Sequence, residues 1–426
     1  MVSTFILIYT LSVYKLFTYK SSIDFKLSLF LFTLIFLIYN CYPYLLLELR
    51  GINFYTWNSV NVEMKIINLK ILTLTLFFYF FFLIGCKISF FFLSKIKVDY
   101  NYKIIFRKYN FSIIILLVII LLILSTIYKD IFFQNLTSYL NTIELKQYSI
   151  YFYLIYIILI LFCILLSKER KVFNFYILLF ACLITLYSFF SSDKNILLTL
   201  FSLLFYVYYK ENNFKNLNLF KLFFFISVVL FIFLPFFSYF RTYRDVYNFY
   251  EWFKAGNYSF LSDPGGPLLS LKLITEDFVN LDTNFFHNFL SFLPKNLREL
   301  FDYNDLGVQF AKQMLGGNYS DGIGFGFSIL AESYLYFKIN FFLFIMFVVF
   351  VGFTYILAIQ LISKKFVPHK FSLYIVTLLS VDLSFTISRS SYAALIQSSF
   401  RLLFIFIIIY FIYFFLKNLI FIKTQK

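Results

Sequence analysis

The sequence predicts an all-α polytopic membrane protein with about eleven transmembrane helices. Three observations carry that reading. Apolar runs of about 18 residues or more recur from end to end, and each is long enough to cross a bilayer. The chain is 62% hydrophobic and 14% charged over 426 residues, whereas soluble domains are about half apolar and a quarter charged. Its basic side chains gather in short segments between the apolar runs, as the loops of membrane proteins do.

Hydropathy places the spans at 3–19, 27–47, 70–92, 112–128, 150–166, 172–190, 196–209, 219–239, 340–362, 371–388 and 400–417. The first has no basic flank and no small-residue cleavage site, so it is expected to be retained. The basic segments YKSSIDFK (19–26), SKIKVDYNYKIIFRK (94–108), SKERK (167–171), KENNFKNLNLFK (210–221) and SKKFVPHK (363–370) all fall on one side if the spans alternate. That side is the cytoplasm, which puts the N-terminus outside and the C-terminus inside. The net charge of +16 is accounted for by these loops and needs no nucleic-acid partner. Cys41, Cys86, Cys163 and Cys182 all lie in spans without a CxxC spacing, which argues against disulfides and thiolate metal sites.

Three regions follow. Residues 1–240 form an N-terminal membrane domain of about eight spans, 241–327 a large extracytoplasmic loop, and 328–426 a C-terminal membrane domain of about three spans. The loop holds nine of the twelve glycines and three of the six prolines, and seven basic against ten acidic residues. Long structured loops are usually functional. Two of its pieces, LLSLKLITEDF (268–278) and FFHNFLSFLPKNLRELF (285–301), read as short amphipathic helices lying on or near the membrane surface.

Arginine is distributed against the topology. Arg241 and Arg244 follow the eighth span, Arg389 ends the tenth and Arg401 opens the eleventh, all at the outer boundary. A guanidinium is a planar fork suited to phosphate oxygens. Together these arginines form a candidate site for a lipid-linked phosphate or diphosphate; snorkelling to headgroups, or pairing with acids such as Asp245, is the competing account. Asp382 lies near the middle of the tenth span, two helical turns before Arg389 and so on the same face. An intramembrane carboxylate requires a cavity or a hydrogen-bonding partner within the bundle. In DGIGFGFSILAESYLYFKINFF (321–342), Gly322, Gly324 and Gly326 permit close backbone approach. Glu332 and Tyr334 then open an apolar helix near the outer boundary, where Glu332 is placed to pair with an arginine or to contact sugar hydroxyls.

That glycine-rich stretch, with its Glu, aromatic and YLxF helix, resembles the end of the large periplasmic loop in bacterial O-antigen and capsule repeat-unit polymerases of the Wzy type. FLPKNLREL (292–300) is similar to the family's proline-containing segment, and the architecture of many spans with one late outer loop matches. The resemblance implies a metal-independent glycosyltransferase, without cofactor, in the bacterial cytoplasmic membrane. Its substrates would be polyprenyl-diphosphate-linked oligosaccharides and its partner a chain-length regulator. Developing charge on the departing diphosphate would be met by Arg241, Arg244, Arg389 and Arg401. Lys194 stands where many relatives open a middle span with an arginine-glycine pair, and no R-x10-G motif occurs in the loop.

His287 is the one outward-facing histidine, a general base or a packing residue. The carboxylates of SDPGG (262–266) and DYNDLG (302–307) do not form a DxD, and there is no HExxH, P-loop or GxSxG. Candidate catalytic residues are therefore Arg241, Arg244, Glu332 and His287. Other classes with this topology are an O-antigen ligase, a lipid-phosphate-sugar-dependent glycosyltransferase with its acid at Glu48 or Glu63, and a flippase. The last is disfavoured by the lack of internal repeats.

Overall fold

The computed structural model describes residues 23–43, 54–57, 60–63, 69–94, 175–191, 248–254, 262–279, 285–293, 305–315, 326–338, 340–362 and 369–405. Scattered positions within 119–126, 154–163, 196–203, 236–240 and 281–303, and residue 407, are also described. The spans read at 3–19, 112–128, 150–166, 196–209, 219–239 and 400–417 lie wholly or in large part outside these residues.

The described elements are, in chain order, α1 (Ile23–Asn40), the strands β1 (Phe54–Trp57) and β2 (Val60–Glu63), α2 (Leu69–Ser94), α3 (Phe175–Ser191) and α4 (Phe249–Lys254). Then come α5 (Ser262–Thr275), a 3-10 helix (Phe285–Phe292), α6 (Leu306–Leu315), α7 (Ile329–Phe337), α8 (Phe341–Leu361) and α9 (His369–Arg389). The last is α10 (Tyr392–Ile405). Among the described residues, two helices are long and apolar enough to cross a membrane, Lys70–Leu93 in α2 and Phe341–Leu361 in α8. They coincide with the spans read at 70–92 and 340–362. Beside the helices, β1 and β2 pair as an antiparallel hairpin, Phe54 opposite Glu63 and Trp57 opposite Val60. Its β-branched and aromatic residues suit a pleated pair.

Two glycines bring α2 and α8 into contact. A Cβ at Gly85 would lie 2.0 Å from the Val349 carbonyl oxygen, and one at Gly352 would lie 2.1 Å from that of Phe82. Only glycine permits this backbone approach. Phe77 meets Phe341, Gly85 meets Val349 and Phe92 meets Phe353, so the helices run parallel. Against α2, α1 runs antiparallel: Phe25 stacks near Phe90 and Phe36 on Phe78. Between α1, α8 and α9 the buried hydroxyls satisfy one another. Tyr355 donates to the Ser28 carbonyl at 3.0 Å and lies 3.0 Å from Ser384 Oγ, while Ser380 Oγ donates to Ser28 Oγ at 2.8 Å. Polar groups removed from water need such partners.

The helices at the C-terminal end start on side-chain caps. Asp305 Oδ1 accepts from the N–H groups of Gly307 and Val308, and Ser328 Oγ from that of Ala331. Asn340 Oδ1 accepts from Phe342 and Leu343, and Ser391 Oγ from Ala394. Each cap satisfies helix-start donors that have no partner within the helix. Asn340 also explains why α7 and α8 are two helices and not one.

Of the two amphipathic pieces expected in the loop, the first is corrected. Residues 266–275 of α5 are buried on every face, including Ser270 and Lys272. Its C-terminal end lies beside the start of α2, where Lys70 Nζ donates to the Thr275 carbonyl at 3.3 Å. The helix closes in a Schellman motif with Asp277 at φ +56° and Phe278 N–H bonded to the Leu273 carbonyl. Within the second piece, residues 285–292 form a 3-10 helix with two distinct faces. Asn288 and Ser291 face inward and are buried, while Phe286 is 76% exposed.

Candidate functional site

The loop meets the helical bundle at Glu332. Residues 326–328 lead into α7, and Ser328 starts that helix so that the fourth residue of ILAESYLYF points into the protein. Glu332 has no exposed surface. Asn288 Nδ2 donates to its Oε1 at 3.0 Å, the Tyr392 backbone N–H donates to its Oε2, and the Tyr336 hydroxyl bonds it as well. One carboxylate thus ties together α7, the 3-10 helix and the start of α10. Burial pushes its pKa up to about 8; nearby Asp305 adds to the rise, and the three donors pull against it.

A second polar layer lies alongside. Ser391 Oγ donates to Asp305 Oδ2 at 2.9 Å, so the cap of α6 and the cap of α10 share one hydrogen bond. Tyr303 reaches the same carboxylate oxygen at 3.5 Å and carries the Arg298 guanidinium 5.4 Å from its ring centre. Burial, then the Asp305 charge, raises the Tyr303 hydroxyl pKa. Ser291 Oγ donates to the Ala393 carbonyl, and Gln397 Nε2 returns a bond to the Ser291 carbonyl at 2.7 Å. Around these polar contacts Phe285 packs on Tyr336, Phe347 and Tyr392.

The structure brings some of the sequence-predicted residues together. Gly326 adopts φ +70°, and a Cβ there would lie 3.2 Å from Pro267 Cδ, 3.5 Å from Arg389 Cγ and 3.6 Å from Gly266 Cα. The half-buried Arg389 therefore lies beside residues 266–267 of α5. Arg401 lies half-buried further along α10. Tyr334 is not part of the Glu332 cluster; its ring takes the Lys70 ammonium 5.1 Å from its centre. Asp382 is partly buried within α9, and its carbonyl accepts from Thr386. Arg241, Arg244, Lys194, Gly322 and Gly324 lie outside the described residues, as does the side chain of His287.

Sequence reasoning missed Asn288, Asp305 and Ser391. A signal for Asn288 was present: Phe285, Asn288 and Ser291 recur every third residue, the period of a 3-10 helix, and mark its inward face. Among the described residues, no three His, Cys, Asp or Glu side chains converge on a metal-sized site.

The class this defines is a helical protein with two helices long and apolar enough to cross a membrane, in which the 3-10 helix, α7 and the start of α10 are fastened together through a buried carboxylate. Residues 271–423, just over a third of the chain, match the family described as O-antigen polysaccharide polymerase Wzy. The family is polytopic in the membrane and acts on lipid-linked oligosaccharides. The matched region contains Asn288, Asp305, Glu332, Arg389 and Ser391, while Arg241 and Arg244 precede it. No curated protein and no solved structure matches the chain.

Proposed function

We propose that this protein polymerises polyprenyl-diphosphate-linked oligosaccharide repeat units on the outer face of the bacterial cytoplasmic membrane. A hydroxyl of one unit attacks the anomeric carbon of the chain carried on another. The new glycosidic C–O bond forms, the bond to the diphosphate breaks, and the hydroxyl proton passes to a base. Polyprenyl diphosphate leaves with the negative charge, which preorganised cations stabilise. The family match supports the activity. The observation that carries the site is Arg389, whose stem packs beside Gly326 and residues 266–267 of α5; its guanidinium is the planar fork that a diphosphate needs.

In this reading Arg241, Arg244, Arg401 and Lys194 complete the anion-binding set and His287 takes the proton. Glu332 holds Asn288 and the Tyr392 backbone in place. The full arrangement is eleven spans with the N-terminus out, the C-terminus in and 241–327 outside. The parallel course of α2 and α8 supports it, because the sequence places five spans, an odd number, between those two.

Gel analysis of surface polysaccharide tests the function. Cells lacking the protein should carry glycan of a single repeat unit. Arg389→Lys keeps the charge but loses the bidentate fork. It should lose most polymer, since removing a transition-state contact costs roughly 3 kcal/mol, on the order of a hundredfold in rate. Full-length polymer in the deletion strain would refute the reading.

A further inference from the structure

Three consecutive residues at the turn between α9 and α10 are held by three different elements: the start of α6, α7 and the 3-10 helix. Ser391 Oγ donates to Asp305 Oδ2 at 2.9 Å, the Tyr392 N–H donates to Glu332 Oε2, and the Ala393 carbonyl accepts from Ser291 Oγ at 3.1 Å. Arg389 lies two residues before the first of them. The last turn of α9 carries on through Ser390, whose N–H bonds the Thr386 carbonyl at 2.9 Å. Little slack therefore separates Arg389 from Ser391.

Of the three holds, the one at Asp305 is more than local structure requires. Its Oδ1 caps α6, accepting from Gly307 and Val308 at 2.8 and 3.2 Å. A cap needs one acceptor, and Ser, Thr or Asn supplies it as well. Asp305 brings a second oxygen, which takes Ser391 and, at 3.5 Å, the Tyr303 hydroxyl. Ser391 in turn caps α10 through the Ala394 N–H. Capping alone does not call for a carboxylate at 305; holding Ser391 does. On its other side Arg389 meets Gly326, where a Cβ would come 3.5 Å from Arg389 Cγ. The arginine is thus placed by its stem from one side and by the turn from the other.

We infer that Asp305 is a positioning residue: through Ser391 it fixes where the α9–α10 turn places Arg389 for the joining of repeat units. The inference rests on the polymerase reading for the task of Arg389. A misplacement of about 1 Å at a reacting group costs on the order of a hundredfold in rate, so this hold governs turnover without touching substrate.

Kinetics of the full-length protein in vesicles, with a lipid-linked repeat unit as substrate, test this. Asp305→Ser keeps an oxygen for the α6 cap and loses the second; Ser391→Gly keeps most of the α10 cap and loses the hydroxyl. Each should lower kcat by about tenfold or more with little change in KM, while thermal unfolding stays near that of the unaltered protein. Asp305→Ser should cost nothing further in an Arg389→Lys background, because both changes remove the same contact. Asp277→Asn, at the exposed ion pair with Lys338, should leave kcat unchanged. A spin label on a cysteine placed at 389, in a chain whose own four cysteines are replaced, reports the turn without any activity. Its motion should rise in Asp305→Ser and not in Asp277→Asn. Unchanged kcat in both turn variants, an equal further loss in the Arg389→Lys background, or unchanged label motion would each overturn the inference. If neither variant accumulates, the label in the otherwise unaltered chain decides: restricted motion supports the hold and free tumbling overturns it. A protein that joins no units while its label responds to Asp305→Ser defeats the polymerase reading alone; one that joins units while its label does not respond defeats this inference alone.

Discussion

Helix α5 and the 3-10 helix belong to the same loop and are buried in opposite senses. Residues 266–275 of α5 are enclosed on all sides by α1, α2, α7 and α9. The 3-10 helix turns Asn288 and Ser291 inward and Phe286 and Phe289 outward. The first behaves as part of the bundle core, where stability comes from apolar area removed from water. The second is held by hydrogen bonds from its inward face, with Phe286 and Phe289 exposed on the other. The loop is therefore two devices in sequence: one closes the bundle, the other clamps Glu332 from above.

The largest expected effect tests the first half of that contrast. Leu271→Asp puts a carboxylate into a fully buried position of α5, at a cost of several kcal/mol. The protein should fail to accumulate, while Phe286→Asp, at an exposed position, should accumulate normally in detergent-solubilised membranes. Similar losses in both variants would erase the distinction. Asn288→Leu comes next. It removes a donor to Glu332 and to the Tyr336 hydroxyl, leaving buried acceptors short of a partner at about 1–3 kcal/mol. Thermal unfolding should register that loss, whereas Phe289→Ala on the outward face should change stability by about 0.5 kcal/mol or less.

The smallest effect is a pH dependence. The folded-state pKa of Glu332 is raised to about 8 by burial, above its ordinary value of 4.5. The folded state thus holds its proton more tightly than the unfolded chain does. That contribution is fully present below the ordinary carboxyl range and is lost as pH rises through about 8. Midpoint temperatures should fall from neutral to mildly alkaline pH in the unaltered protein, and Glu332→Gln should flatten the slope. A slope of equal size in both would show that another group titrates.

The sequence made α2, α8 and α9 legible because a long apolar run has one reading in a membrane. Glu332 was legible too, as a lone acid opening an apolar helix. The clamp around it was not. Asn288, Ser391 and Asp305 acquire meaning from partners 44 and 86 residues away, Asn288 with Glu332 and Ser391 with Asp305. No local pattern encodes such pairs. α5 was misread because LLSLKLITEDF (268–278) mixes apolar residues with a lysine and two acids, which suggests one solvated face; enclosure of residues 268–275 by four other helices overrides that pattern.

Reconstitution tests the central claim most directly. The purified full-length chain is placed in vesicles with one lipid-linked oligosaccharide repeat unit as its sole substrate. The account predicts products of two and more joined units, with one polyprenyl diphosphate released for each new linkage. Arg389→Lys should be reduced by about a hundredfold. Unjoined substrate under these conditions, with joining only when a lipid A core acceptor is added, would contradict the polymerase and identify a ligase.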